Sequence, residues 1–223
     1  MRKHIFILTA LLTLSSYVSA QNPKWFKKAS KAQISIITMN EKGDLLRSGN
    51  GFFIGKDGTA VADYQLFKQA SKAKVVSGDG KEYEVDVIIG ASSLYDLVKF
   101  RVKTEKETPA LTISERIGVK NEHVYILPYP TKDKKICLND TLHEIQKFNG
   151  EYGYYTLGHS LDDKYLNSPV MSDEGEVLGM IQRRADAAAS PSFAISVAYG
   201  NTLCTHAMSS TDSDLNTIGI RKA

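Results

Sequence analysis

A serine hydroxyl attacks a carbonyl effectively only when an imidazole takes its proton and a carboxylate holds that imidazole in the right tautomer. The 223-residue sequence sets a histidine beside a serine once, in Gly158-His159-Ser160, and carries a further candidate hydroxyl in Asn167-Ser168-Pro169-Val170. Adjacent residues of an extended segment point to opposite faces, so His159 and Ser160 do not by themselves make a nucleophile and its base. Both serines read as loop hydroxyls and His159 as a solvated histidine. His123, His143 and His206 are scattered with no metal-ligand spacing and read as surface or satisfied core histidines, so neither metal nor cofactor is expected. Cys137 and Cys204, with 66 residues between them, could form a bridge or stand as two unrelated buried thiols.

The elements that would position such groups are strands. Gly51-Phe52-Phe53-Ile54 and Thr59-Ala60-Val61-Ala62 flank Lys56-Asp57-Gly58, and Asp-Gly between two β-rich runs signals a hairpin. Before it, Gln33 to Met39 reads as a strand turning through residues 40–44 into Leu45 to Ser48. After it, Phe67 to Ala73 could make one helical turn. Lys74 to Val76 and Glu82 to Ile89 then form a second hairpin, and Leu94 to Val102 a further strand. Residues 33–102 thus make a first half, and the charged stretch 103–108 reads as a linker.

The second half, 109–208, gives short strands near Val124 to Leu127, Thr141 to Phe148, Tyr152 to Leu157, Val170 to Met171, Val177 to Ile181 and Phe193 to Val197. A short helix is expected at Asn201 to Met208. Many short strands with close turn signals and no long 3.6-residue period predict an all-β barrel or sandwich. Residues 21–32 read as a surface arm around Trp25-Phe26, and residues 209–223 as a tail with no evident place.

Residues 1–20 combine two basic residues, an apolar run from Ile5 to Leu14 and a small-residue ending, Val18-Ser19-Ala20. This predicts a signal peptide and a periplasmic or secreted protein. The run is too short for a membrane span, which needs about 20 residues. Without Arg2 and Lys3, 26 basic residues face 25 acidic ones. A net charge of +1 gives no reason to expect a nucleic-acid or anionic-membrane partner.

Three landmarks in order resemble the trypsin-like serine peptidase family of the chymotrypsin and HtrA-like fold. The hairpin resembles the family's G-x-G-F-F/V-I strand, D-G turn and strand ending T-N-Y-H-V; Tyr95-Asp96-Leu97-Val98-Lys99 resembles the strand A-D-L-A-L/V-L. Asn167-Ser168-Pro169-Val170, followed by Gly175-Glu176-Val177-Leu178-Gly179-Met180, resembles G-N-S-G-G/S-P-V/L and G-E-V-I-G-I. The resemblance implies two six-stranded antiparallel Greek-key β-barrels.

It also implies a degenerate site. Gln65 stands at the histidine position, Asp96 at the aspartate and Leu166 at the nucleophilic serine, and the Gln65 amide is expected to donate to Asp96 in the imidazole's stead. Lys164 and Tyr165 occupy the oxyanion loop, Lys164 where the family has glycine. The strand that pairs with substrate aligns with Gln182, Arg183 and Arg184, which suggests extended or acidic peptides or proteins as partners. The function implied is an exported non-catalytic homologue that binds protein or peptide. The alternative is an active endopeptidase with a relocated nucleophile, Ser160 or Ser168.

Overall fold

The computed structural model describes residues 22–131, 137–148, 152–182, 193–196 and 217–223. The expected leader, the expected helix at 201–208, Arg183, Arg184 and Cys204 lie outside them.

Six strands close the first barrel: β1 (Gln33–Met39), β2 (Leu45–Phe53), β3 (Thr59–Asp63), β4 (Lys72–Ser77), β5 (Glu82–Ser92) and β6 (Leu97–Val102), antiparallel in the order β1-β2-β3-β6-β5-β4. The β2–β3 hairpin turns where Asp-Gly predicts it. Gly58 sits at φ +86°, a conformation glycine adopts without strain, and Asp57 Oδ1 accepts the Thr59 N–H at 3.1 Å. Within the hairpin Gly51 faces Ala62, and a methyl at Gly51 would lie 2.5 Å from the Val61 carbonyl oxygen, so only glycine permits that pairing.

The second barrel closes through β8 (His123–Ile126), β9 (Leu138–Phe148), β10 (Tyr152–Leu157), β13 (Phe193–Ser196), β12 (Glu176–Gln182) and β11 (Pro169–Met171), with β11 pairing both β12 and β8. A two-residue strand, β7 (Thr112–Ile113), adds to β12 in parallel. Closure leaves few exposed ladder groups at the edges. The first core, with Ile34, Phe52, Phe67 and Phe100, continues into Met171, Val177 and Met180 of the second half. Around Tyr155, Ile126 and Leu142 the second barrel has its own apolar centre.

Two sequence expectations are corrected. The helical turn is α2 (Tyr64–Phe67), not residues 67–73, because the carboxylate of Asp63 accepts the Gln65 N–H at 2.5 Å and caps a turn there. The arm is no free surface segment: α1 (Phe26–Ala29) and a 3₁₀ turn (Ser30–Ala32) follow Trp25, whose ring meets Tyr125 edge-on at 5.4 Å and whose Nε1–H donates to the Asp173 carbonyl at 2.9 Å. The stretch at 103–108 lies along the first barrel, with the Thr108 N–H on the Lys56 carbonyl and its hydroxyl on that of Gly55.

The end of the tail also has a place. Ile218 and Ile220 enter the first barrel's core, the Ile88 N–H donates to Arg221 O, and Arg221 forms a two-pronged ion pair with Asp86 at 2.8 and 2.9 Å. Truncating Ile218 to alanine removes buried apolar contact and leaves a void, a change that typically costs about 3 kcal/mol. Ile218→Ala is therefore expected to lower the urea midpoint clearly; an unchanged midpoint would mean that this tail does not dock on the barrel.

Candidate functional site

Asp96 occupies the turn before β6 with φ +51°, a left-handed conformation that aspartate tolerates better than most side chains. That geometry turns its carbonyl toward two donors: the Tyr64 N–H at 3.2 Å and the Gln182 side-chain amide at 3.1 Å. The same Gln182 amide donates to Tyr95 O at 3.0 Å. Gln182 is nearly buried, at 7% exposure, and ends β12, so its amide joins the second barrel to the turn of the first.

The structure brings Gln65 and Asp96 together. Gln65, exposed on α2, presents its backbone N–H to Asp96 Oδ1 at 3.3 Å, and its side-chain amide also bonds that carboxyl. The sequence reading missed a third member, Asp63, whose Oδ1 takes the Gln65 N–H at 2.5 Å, the same donor that reaches Asp96 Oδ1. Burial, then the neighbouring Asp96 charge, pushes Asp63 up to about 8, against the opposing Gln65 and Leu66 N–H groups. Asp96 is also raised by burial, although bonds from Asp63 and Gln65 favour its charged form. Residue type gave one signal: an Asp at the last position of β3, followed by a short turn, is a helix cap.

Leu166 is half-buried and packs against the second barrel's apolar centre. It follows a 3₁₀ turn (Asp163–Tyr165), and its N–H donates to Asp163 O at 3.0 Å. A hole for a developing oxyanion needs N–H groups aimed at empty space, and this one is engaged within its own turn. Lys164 is exposed, ion-paired with Asp162, and stands 5.2 Å over the ring of Tyr165, itself half-buried. Asn167 adopts φ +63° and its N–H donates to Ile181 O at 2.9 Å.

Among the described residues neither candidate hydroxyl meets a base. Ser168 is fully buried with its Oγ unpartnered, and Ser160 is exposed and does not bond His159. His159 is nevertheless oriented: its Nδ1 lies 3.1 Å from Oδ1 of Asp140, a buried carboxylate that also takes the N–H groups of Thr141 and Gly158. Both belong to the second barrel alone. His123 pairs with Asp173 at 2.8 Å. Cys137 is a free buried thiol, raised by burial and donating toward Asn22 Oδ1 at 3.3 Å. Among the described residues no three His, Cys, Asp or Glu side chains converge as metal ligands, and no helix is long and apolar enough to cross a membrane.

A model of the trypsin-like peptidase domain matches residues 49–180. The fold is similar to that of a serine endoprotease from Yersinia pestis, with a TM-score of 0.64 at 15% identity, covering 82% of this chain and 66% of that one. Over 175 residues the sequence is 22% identical to anti-sigma-I factor RsgI9 of Acetivibrio thermocellus. That match takes in 74% of this chain but spans only 24% of the relative's length.

Removing the Gln182 amide would take a donor from the Tyr95 and Asp96 carbonyls, the latter keeping the Tyr64 N–H, a loss of about 1 kcal/mol. Gln182→Ala is expected to lower the denaturant midpoint accordingly, and a wild-type midpoint would show that the bond between barrels contributes nothing.

Proposed function

Because the chain belongs to the trypsin-like peptidase domain family, we propose that it keeps the family's two-barrel frame without its chemistry and serves as an exported module that binds protein or peptide. One observation carries this reading. The position that aligns with the nucleophile is Leu166, packed on the second barrel's core with its N–H bonded within its own turn. The position that aligns with the general base is Gln65, whose amide has no proton to accept or release near neutral pH. Asp96 alone keeps the family's residue type.

The losses act as a unit. In a subtilisin triad, removing the serine or the histidine alone costs about 10⁶ in turnover, and removing both costs little more. What remains in such a variant comes from the oxyanion hole and substrate binding, and the engaged Leu166 N–H weighs against the first of these. A relative named as an anti-sigma factor rather than a peptidase accords with a regulatory or binding use of such a domain. Export rests on the pattern of residues 1–20.

The ligand class rests on the stretch that begins with the last residue of β12. Family members pair substrate in β-fashion along this stretch, and here it reads Gln182-Arg183-Arg184. Two guanidiniums in that stretch favour carboxylate-bearing peptides.

Two outcomes are expected. Purified protein should neither hydrolyse peptides nor be labelled by a serine-directed covalent probe; labelling abolished by Ser168→Ala or Ser160→Ala would reveal a relocated nucleophile and overturn the non-catalytic reading. On a peptide array, wild type should prefer acidic over basic extended peptides, and Arg183→Ala with Arg184→Ala should erase that preference. Binding indifferent to both substitutions would sink the acidic-peptide assignment while leaving the absence of catalysis standing.

A further inference from the structure

Where a peptidase of this fold sets an imidazole against a carboxylate, this chain sets carboxyl against carboxyl. Asp63 is the last residue of β3 and Asp96 the residue before β6, and Asp63 pairs with Leu97 across the ladder. Their oxygens converge on one donor, the Gln65 N–H, at 2.5 and 3.3 Å, which sets the two carboxyls side by side. Two ionised carboxylates offer only acceptors and share this single N–H, so a proton on one of them supplies the missing donor and removes the repulsion.

Among the described residues the surroundings supply no compensating charge. From α2 come the N–H groups of Gln65 and Leu66 and the Gln65 amide; from β12 comes the neutral Gln182 amide, engaged with the Tyr95 and Asp96 carbonyls. The Tyr64 hydroxyl is on Thr217 at 2.6 Å, the Tyr95 phenol neighbours Tyr154, and Arg47 of β2 donates to the Lys68 carbonyl. Among the described residues no ion pair joins either carboxyl to a lysine, arginine or histidine.

We propose that the Asp63–Asp96 pair is a proton-operated latch, closed while one proton is shared between the carboxyls and released when both ionise, so that β3 and α2 part from the turn that Gln182 joins to the second barrel. Like charges held in a partly buried notch repel. The released state therefore loosens the Tyr64 N–H bond to Asp96 O as well as the cap on α2. Burial and the Asp96 charge push Asp63 up to about 8, above its ordinary value of 3.8. A carboxyl raised on folding stabilises the protein in full below the unfolded value, and that stability is lost as pH rises toward the folded one. The latch thus opens across the neutral to mildly alkaline range.

The test follows the aspartate side-chain carboxyl ¹³C resonances of the full-length exported protein from about pH 4 to 10, together with hydrogen exchange at the Gln65 and Leu66 amides. The latch predicts one aspartate titrating near pH 8 and a loss of amide protection over the same interval, beyond the ordinary base-catalysed rise. In Asp63→Asn the side-chain oxygen still caps α2 and the new amide donates to Asp96, so both transitions should vanish. Every aspartate titrating below about pH 5, or protection in the wild type constant across the range, would overturn the proposal. So would an Asp63→Asn protein that keeps the wild-type pH dependence. If Asp63→Asn does not fold, the wild-type titration decides alone.

Discussion

Three elements meet at Asp96, and the joint between the barrels is built on that meeting. Among the described residues no strand of one sheet pairs with a strand of the other, so side chains and loops must do what a continuous ladder does elsewhere. Asp96 in its left-handed conformation offers its carbonyl outward to Tyr64 and to Gln182 at once. An ordinary extended residue at that point would aim the carbonyl along the sheet. Because Gln182 is nearly buried, its two bonds form away from water, where an unmet carbonyl is costly.

The frame does not depend on which side chains stand at the positions that align with a triad. The groups a triad requires contribute little to closing two barrels; the ladders and apolar centres do that. At Leu166 an apolar side chain packs on the core, at Asn167 a residue that tolerates the left-handed region takes φ +63°, and at Gln65 the backbone N–H still reaches Asp96. The frame survives in each case because what it needs from the position is a backbone bond or a contact.

Each described chain end is laid on the barrel it does not belong to. Trp25, which precedes the first barrel, covers Gly175 of the second: at φ +85° that glycine leaves no room for a methyl, which would lie 2.6 Å from the indole. Residues 217–223, which follow the second barrel, pack on the first through Ile218, Ile220 and Arg221. Such crossing clamps the barrels from both sides, and it surrounds α2 with contacts: the Tyr64 hydroxyl meets Thr217 and the Gln69 N–H donates to Thr217 O at 2.5 Å.

Local chemistry made much of this legible from residue types alone. Asp57-Gly58 specified a hairpin because glycine takes positive φ freely. Alternation from Gln33 to Met39 specified β1, since a strand with one buried face must repeat every two residues. The Gln65, Asp96 and Leu166 alignment followed from motifs in order along the chain. What residue order could not reveal were meetings of distant segments: Gln182 with the 95–96 turn, Trp25 with Gly175, Asp140 with His159, Ile218 and Ile220 with the first core, and Asp63 with Asp96. None carries a sequence period, because each depends on where closed sheets bring two remote residues. A single aspartate is an ordinary cap or turn residue until barrel closure sets a second carboxyl against it, and only the tertiary structure could decide that.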